Sequence, residues 1–196
     1  MREFSAIPRA ERRRIFRAAF VASLPILLGY TTMGFAAGVM LGTKDVPFAP
    51  FWSGLLALTT VSGTLSFVVP EQIDRAASLL SFAVLTLAIN FRYAFYGFSM
   101  LERWKGVPFF QKYFLVHSLA DEIYAVDLAC PERDPLKNRL YCLANHTLDV
   151  GYWFAGTTLG AVAGANLPIP SKGIEFAMVA LFLVIFTEQA KGFLRK

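Results

Sequence analysis

The sequence predicts an all-α, polytopic integral membrane protein. Of its 196 residues, 56% are hydrophobic and 17% are charged, whereas a soluble domain usually carries about 25% charged residues. The charges are also clustered, because no Asp, Glu, Lys or Arg occurs at 18–43, 46–70 or 150–171. A transmembrane helix needs roughly 20 apolar residues. These stretches therefore predict membrane-length helices and leave little room for a soluble domain.

We divide the chain into a basic amino-terminal segment, 1–17, a single transmembrane domain, 18–191, and a basic tail, 192–196. The domain contains about six hydrophobic segments, at 18–41, 48–69, 76–101, 113–130, 140–166 and 174–191. Most of the 19 Lys and Arg residues lie outside these segments, a pattern typical of topology determinants and lipid contacts. The net charge of +5 therefore does not indicate nucleic-acid binding.

The amino terminus is expected to stay attached and to face the cytoplasm. The apolar run after it is about twice as long as the core of a signal peptide, and it lacks a convincing cleavage site. Cys130 and Cys142 are the only cysteines, and they do not form a C-x-x-C pair. We therefore expect neither a metal site nor a cofactor.

A glycine pattern in segment one recurs in segment five. Gly29-Tyr30 is followed by glycines at 34, 38 and 42, and Gly151-Tyr152 by glycines at 156, 160 and 164, an offset of 122 residues. Glycines spaced in this way lie near one helix face and allow close packing of helices. The pattern indicates either an internal repeat, which many transporters contain, or a coincidence between two glycine-rich helices.

Segment two is interrupted at mid-length by Thr59-Thr60-Val61-Ser62-Gly63-Thr64. Hydroxyls and a glycine at this depth favour a broken or re-entrant helix whose freed backbone groups face a cavity. The alternative is an ordinary helix with hydroxyls bonded to the preceding turn. In the first case, Ser62 and Gly63 would offer backbone groups to a ligand.

Arg92 is the only charge between Ala76 and Leu101. An arginine within the bilayer costs from about 2.5 to more than 10 kcal/mol, and it cannot escape that cost by losing its proton. It must therefore meet an anion or a wet cavity. Asn90 and Tyr96 flank it and are candidates to orient it. The alternative is that Asn90 caps a helix break and that Tyr96 is an interfacial aromatic residue.

Acidic residues in segments four and five are the candidate partners of Arg92. Asp121 and Glu122 are the nearest, followed by Asp127 and Asp149. Adjacent residues point about 100° apart on a helix, so one of Asp121 and Glu122 can pair with Arg92 while the other faces elsewhere. Such a set suits recognition of a zwitterion with an apolar side chain. The alternative is a buried salt bridge that locks segments three and four together.

Segment four contains so many polar residues that it is a poor independent span, and we expect it to be shielded or re-entrant. In segment five, Asn145, His146 and Asp149 share a face. The bias of Lys and Arg toward the cytoplasm nearly vanishes if only one of segments two and four turns back. We therefore expect both to cross or both to turn back, and the bias is largest when both turn back.

At these residues the chain resembles the AzlC family, the large subunit of bacterial branched-chain amino acid exporters. The resemblance runs from about Ser23 to Thr187. It rests on Asn90-Phe91-Arg92-Tyr93-Ala94-Phe95-Tyr96-Gly97 and on Asp121-Glu122-Ile123-Tyr124-Ala125, and more weakly on the stretch 61–67. Val61 and Ser66 stand where the family has a tyrosine and a glutamine, two side chains that could touch the substrate.

The resemblance implies export of apolar amino acids from the cytoplasm across the bacterial inner membrane, driven by protons. It also implies a small AzlD-type membrane subunit as partner, and the pair could form a homo-oligomer of the heterodimer. The family usually continues beyond the position of Lys196, so we expect the partner or a second copy to cover an exposed face.

The sequence leaves two alternatives to a transporter function. One is an intramembrane hydrolase that uses Ser62 and His146, although no nucleophile motif surrounds Ser62. The other is a non-transporting membrane scaffold. We expect the chain not to be an enzyme.

Overall fold

A computed structural model of the protein describes residues 2–167 together with Gly173 and Phe176. Apart from Phe176, segment six at 174–191 and the tail at 192–196 lie outside the described residues. Residues 2–167 contain a short 3-10 helix, Arg2–Ala6, then seven α-helices and no strand, which confirms the predicted all-α class. The helices are α1 Arg9–Gly42, α2 Ala49–Thr60, α3 Gly63–Asp74, α4 Leu79–Met100, α5 Phe109–His117, α6 Asp121–Leu128 and α7 Pro135–Asn166.

Two of the described helices, α1 and α4, are long and apolar enough to cross a membrane. They correspond to segments one and three of the sequence. The 32 residues of α7, which contains segment five, would extend about 48 Å at 1.5 Å per residue, but this helix is more polar. Segments two and four each consist of two short helices. The total of six segments stays a prediction, because segment six is not described.

The frame of the fold is the pair α1 and α7, which pack along the two glycine rows of the repeat. A Cβ added to Gly38 would lie 2.7 Å from the Ala161 nitrogen and closer still to the Thr157 carbonyl oxygen. A Cβ added to Gly160, the counterpart of Gly38, would lie 2.8 Å from the Phe35 Cα. The helices run parallel, because residues later in α1 meet residues later in α7.

The packing of these two helices has a local two-fold symmetry. Gly38 lies against residue 157, and Gly160 lies against residue 35, which precedes residue 157 by the same 122 positions. One turn further along, Gly42 lies against Ala161 and Gly164 lies against Val39, again with exchanged partners. The repeated glycines therefore occupy equivalent places in one interface, which supports an internal repeat over coincidence.

Segment two is broken where the sequence predicted, and the alternative of a continuous helix is wrong. The break occurs at Val61, which has a left-handed φ of 43°, and Ser62 caps α3 by accepting a hydrogen bond from the Leu65 nitrogen. Asp74, the last residue of α3, pairs with Lys44 just beyond the end of α1. Because α2 also begins near that end, α2 and α3 form a re-entrant hairpin.

Segment four forms a second re-entrant hairpin, from α5 and α6, which enters at the opposite end of α1. Before α5, Trp104 packs in one cluster with Ile7 and Ile15. After α6, Glu132 forms an ion pair of 2.7 Å with Arg14. Both ends of this hairpin thus lie near the amino-terminal end of α1, and α4 connects one hairpin to the other.

The tips of the two hairpins contact each other. The His117 Nε2 at the end of α5 lies 2.9 Å from the Leu58 carbonyl oxygen in the last turn of α2. This oxygen belongs to the turn before the break at Val61, so it has no helical partner after it. The described part of the chain therefore has two broken segments that point toward each other, as the charge bias favoured.

The glycine interface predicts opposite effects for two similar substitutions in α1. Gly38→Ala should lower the free energy of unfolding by about 1–3 kcal/mol, because its new methyl group meets the backbone of α7. Gly29→Ala should be neutral or stabilise by about 0.5–1 kcal/mol, because nothing lies within 4 Å of its added Cβ and alanine favours a helix. Thermal midpoints in detergent measure both, and equal shifts would contradict the interface.

The hairpins predict which connecting segments share a side of the membrane. In a variant without Cys130 and Cys142, Asp45→Cys and Ala77→Cys should react with an impermeant maleimide from the same side, because they flank the first hairpin. Lys105→Cys and Pro131→Cys flank the second hairpin and should both react from the other side. Reaction of the Asp45→Cys and Ala77→Cys variants from opposite sides would show that segment two crosses.

Candidate functional site

The two hairpin tips lie beside the middle of α4, where the side chains selected from the sequence come together. Ser62 Oγ, at the break of the first hairpin, donates a hydrogen bond of 2.8 Å to Asn90 Oδ1 on α4. Gly63 follows in the first turn of α3, where an added Cβ would lie 3.5 Å from the Trp153 ring. The break is thus held between α4 and α7.

Arg92 meets the carboxylate that the sequence predicted. Its Nη1 donates to Asp121 Oδ2 at 2.6 Å, and its Nη2 donates to the Tyr93 hydroxyl at 3.2 Å. The exposed fractions of the Arg92 and Asp121 side chains are 43% and 37%. The ion pair joins segments three and four, as in the alternative interpretation, but its two side chains are only partly buried, so both interpretations stay open.

Glu122 faces another helix, as expected for the neighbour of Asp121. Its Oε2 accepts a hydrogen bond of 3.0 Å from the Tyr30 hydroxyl on α1. Both acids stand in the first turn of α6, where the partial positive charge of a helix amino terminus stabilises carboxylates by about 0.3–1 kcal/mol. The second hairpin thus presents two adjacent carboxylates, one to α4 and one to α1.

The predicted orienting residues have other partners. Asn90 bonds to Ser62 rather than to Arg92, and Tyr96 stacks on Tyr124 with ring centroids 4.8 Å apart. The residue that does contact the guanidinium is Tyr93, whose ring centroid lies 5.0 Å from the Arg92 Cζ. Both side chains thus join α4 to the two hairpins, and Tyr96 also interacts electrostatically with Arg92 and Asp121. A role of Asn90 and Tyr96 in orienting Arg92 stays a prediction.

A buried polar cluster lies next to this site, between the second hairpin and α7. It consists of Ser118, Asp127, Asn145, His146 and Asp149, all 0% exposed. His146 bridges two of the others, because its Nδ1 lies 2.7 Å from Ser118 Oγ and its Nε2 lies 2.8 Å from Asp127 Oδ2. Among residues 2–167, both carboxylate oxygens of Asp149 and both polar atoms of the Asn145 amide have no hydrogen-bond partner.

The sequence identified the α7 face of this cluster but missed the bridge between helices. Asn145, His146 and Asp149 were placed together by helical spacing, whereas the contacts of His146 with Ser118 and Asp127 depend on the second hairpin folding back. The fold-back could have been anticipated from the sequence, because segment four has too many polar residues to be one span. The structure places the break in the three residues before Asp121.

The rival pairing of Ser62 with His146 is wrong, because Ser62 bonds to Asn90 and both ring nitrogens of His146 have other partners. Ser118, His146 and Asp127 do match the residue types of a hydrolase triad. However, all three are fully buried, and the Ser118 hydroxyl donates to the Phe114 carbonyl oxygen. A substrate cannot reach this hydroxyl, and the arrangement is structural.

The AzlC protein family matches residues 25–167 of this chain. The chain belongs to the AzlC family. Its two most specific motifs, on α4 and at the start of α6, meet through the ion pair of Arg92 and Asp121. No solved structure matches the chain.

AzlC relatives occur in several microorganisms. A Helicobacter pylori membrane protein is 31% identical over 180 residues, covering 91% of this chain and 77% of the relative. The Bacillus subtilis branched-chain amino acid transport protein AzlC is 28% identical, covering 89% and 67%. The Escherichia coli inner membrane protein YgaZ is 27% identical, covering 82% and 67%. The chain is thus a membrane protein of a transport family, not of an enzyme family.

Removal of the buried histidine should destabilise this AzlC-family protein strongly. His146→Ala leaves Asp127 buried without its partner, which should lower the free energy of unfolding by about 3–5 kcal/mol. The control is Thr147→Ala, one position further along α7, where the side chain is exposed and a change within about 0.5 kcal/mol is expected. Denaturant or thermal unfolding in detergent measures both, and similar values for the two variants would contradict the bridge.

Proposed function

We propose that this AzlC-family chain is the large subunit of an exporter that moves branched-chain or other apolar amino acids out of the cytoplasm, driven by protons. The name of the Bacillus subtilis relative supports branched-chain amino acids as the substrate class. The observation that carries the proposal is the accessible pair of Arg92 and Asp121 beside two broken helices.

The ion pair suits exchange with a zwitterion. An incoming amino acid offers its own carboxylate to Arg92, so Asp121 can leave the guanidinium without leaving it unpaired in an apolar region. The released Asp121 and the neighbouring Glu122 then bind the ammonium group. Each charged group exchanges one oppositely charged partner for another, which keeps the free-energy cost of ligand binding low.

The break at Ser62 and Gly63 supplies polar backbone to the same place. The first N–H groups of α3 have no helical partner, and a helix amino terminus of this kind can bind a carboxylate. Asn90 holds this break through Ser62. Asn145 and Asp149 lie deeper, on α7, and we assign them to coupling rather than to direct contact with the substrate.

Alternating access would come from the two hairpins. One opens from the end at which α1 finishes, and the other from the end at which α1 begins. Their tips meet at His117 and Leu58. Separation of one hairpin at a time from this contact would expose the site to one side of the membrane and then to the other.

The distribution of charge supports a cytoplasmic amino terminus in the bacterial inner membrane. Because the second hairpin begins and ends near the start of α1, one end of the fold carries most of the basic residues: Arg9, Arg12, Arg13, Arg14, Arg17, Arg103, Lys105, Lys112, Arg133, Lys137 and Arg139. Such an excess of Lys and Arg faces the cytoplasm. The name of the Escherichia coli relative agrees with the inner membrane.

Exposure of α4 supports a small AzlD-type membrane subunit as partner. Only Gly97 and Met100 of this helix are buried, although it carries Arg92 at mid-length. A partner helix against α4, in the lipid bilayer, would shield the ion pair from hydrocarbon. The heterodimer could itself form a homo-oligomer through the remaining apolar surface.

Efflux of labelled leucine from cells that co-express the small subunit tests this function. Arg92→Gln and Glu122→Gln should each reduce efflux about 10- to 100-fold, which corresponds to loss of a charged hydrogen bond worth about 1.5–3 kcal/mol. The control is Arg75→Gln, which removes an equal charge from an exposed pair with Glu71. Wild-type efflux by both site variants, at equal amounts in the membrane, would refute the proposal.

A further inference from the structure

The buried polar cluster contains two side chains that the fold leaves without any partner. Asp149 and Asn145 lie one turn apart on the same face of α7, and each is 0% exposed. All four of their polar side-chain atoms are buried and unbonded within the described part of the protein. An unpaired polar group in such a place costs free energy and is retained where function needs it.

The titratable groups that face Asp149 are either acidic or neutral. From α6 it interacts electrostatically with Glu122 and Asp127, and from α1 with the Tyr30 hydroxyl. On α7 itself, Tyr141 also interacts electrostatically with Asp149, and His146 is already bonded to Asp127. No cation contacts Asp149 among the described residues, so an ionised carboxylate there would face two other carboxylates without compensation.

We propose that Asp149 is the proton-carrying group of this protein and that it exchanges its proton against the amino acid bound at Arg92 and Glu122. The inference rests on the proposed function, which it deepens by naming the coupling residue. It separates the proton site from the substrate site, since Asp149 is fully buried whereas Arg92 and Asp121 are accessible.

Glu122 is the physical link between the two sites. It is adjacent to Asp121 at the tip of the second hairpin, it holds the Tyr30 hydroxyl, and its charge acts on Asp149. When the ammonium group of a substrate binds to Asp121 and Glu122, it brings a positive charge toward Asp149 and cancels the nearby negative charge. The O–H bond of the Asp149 carboxyl then breaks and its proton leaves to water, while the carboxyl becomes a carboxylate.

Asn145 can serve Asp149 in both of its states. Its amide oxygen can accept a hydrogen bond from the protonated carboxyl, and its amide N–H can donate to the carboxylate after the proton has left. Binding linkage is reciprocal, so a proton on Asp149 must weaken amino acid binding as much as the amino acid weakens proton binding. Mutual exclusion of this kind is what an antiporter requires.

Infrared spectroscopy of the full chain, purified with its small subunit, tests the proton site without any substrate. At pH 7, wild-type protein should show the carbonyl stretching band of a protonated carboxylic acid, and Asp149→Asn should lack it. An asparagine has the shape of the neutral acid, so this variant should fold. Asp74→Asn, at an exposed ion pair, is the control and should keep the band. A band that is absent from the wild type, or that persists in Asp149→Asn, overturns the proposal.

Proton release tests the coupling. Saturating L-leucine, added in weakly buffered detergent with a pH indicator, should release about one proton per wild-type chain and none from Asp149→Asn. Equal release by both proteins overturns the assignment. Stabilisation by sodium ions, together with loss of the acid band, would show that a cation occupies the cluster instead and would also overturn it. If the band is present but leucine neither binds nor is exported, the proton site stands and the proposed substrate fails.

Discussion

A guanidinium in the middle of an apolar helix constrains everything around it. Arg92 cannot lose its charge, so the chain must bring an anion to mid-length of α4, and it does so with the amino terminus of α6. A helix can begin at that depth only because segment four breaks after His117. The charge of Arg92 and the re-entrant form of the second hairpin therefore depend on each other.

The parallel pair α1 and α7 provides the rigid frame for this arrangement. Its two-fold symmetry is broken near the candidate functional site. The Ser23 and Tyr152 hydroxyls lie 3.2 Å apart, and their counterparts at the offset of 122 residues are Asn145 and Tyr30. Those counterparts do not bond to each other. Tyr30 donates to Glu122 instead, and Asn145 has no partner within the part of the chain that the structure describes. The two-fold symmetry of α1 and α7 is therefore broken on the side that faces the second hairpin.

Local patterns in the sequence predicted much of this organisation. The apolar segments, the break at Val61 and the pairing of Arg92 with Asp121 follow from the cost of unsatisfied charges and backbone groups in a bilayer. The charge bias favoured two segments that turn back, and the contacts of Asp74 and Glu132 with the two ends of α1 agree with it. Most of these features depend on one segment at a time or on a simple count, and the pairing of Arg92 was predictable because a lone charge in an apolar stretch needs an anion.

Other side-chain contacts between segments were not predictable. The hydrogen bond of Asn90 with Ser62 and the stacking of Tyr96 on Tyr124 were not predicted, because sequence neighbours of Arg92 point to different helices once the hairpins fold. The bridge from Ser118 through His146 to Asp127 joins two segments whose relative depth no pattern specified. Helical spacing placed Asn145 and Asp149 on one face but could not show that both lack partners.

The most direct test of this account is a charge-exchange experiment at Arg92 and Asp121, read as thermal stability in detergent. Arg92→Asp alone and Asp121→Arg alone should each lower the midpoint, because each places two like charges together. The double variant should recover most of the loss, because the ion pair is restored with its ends exchanged. Additive losses in the double variant would show that the guanidinium does not depend on this carboxylate, and the central claim would be wrong.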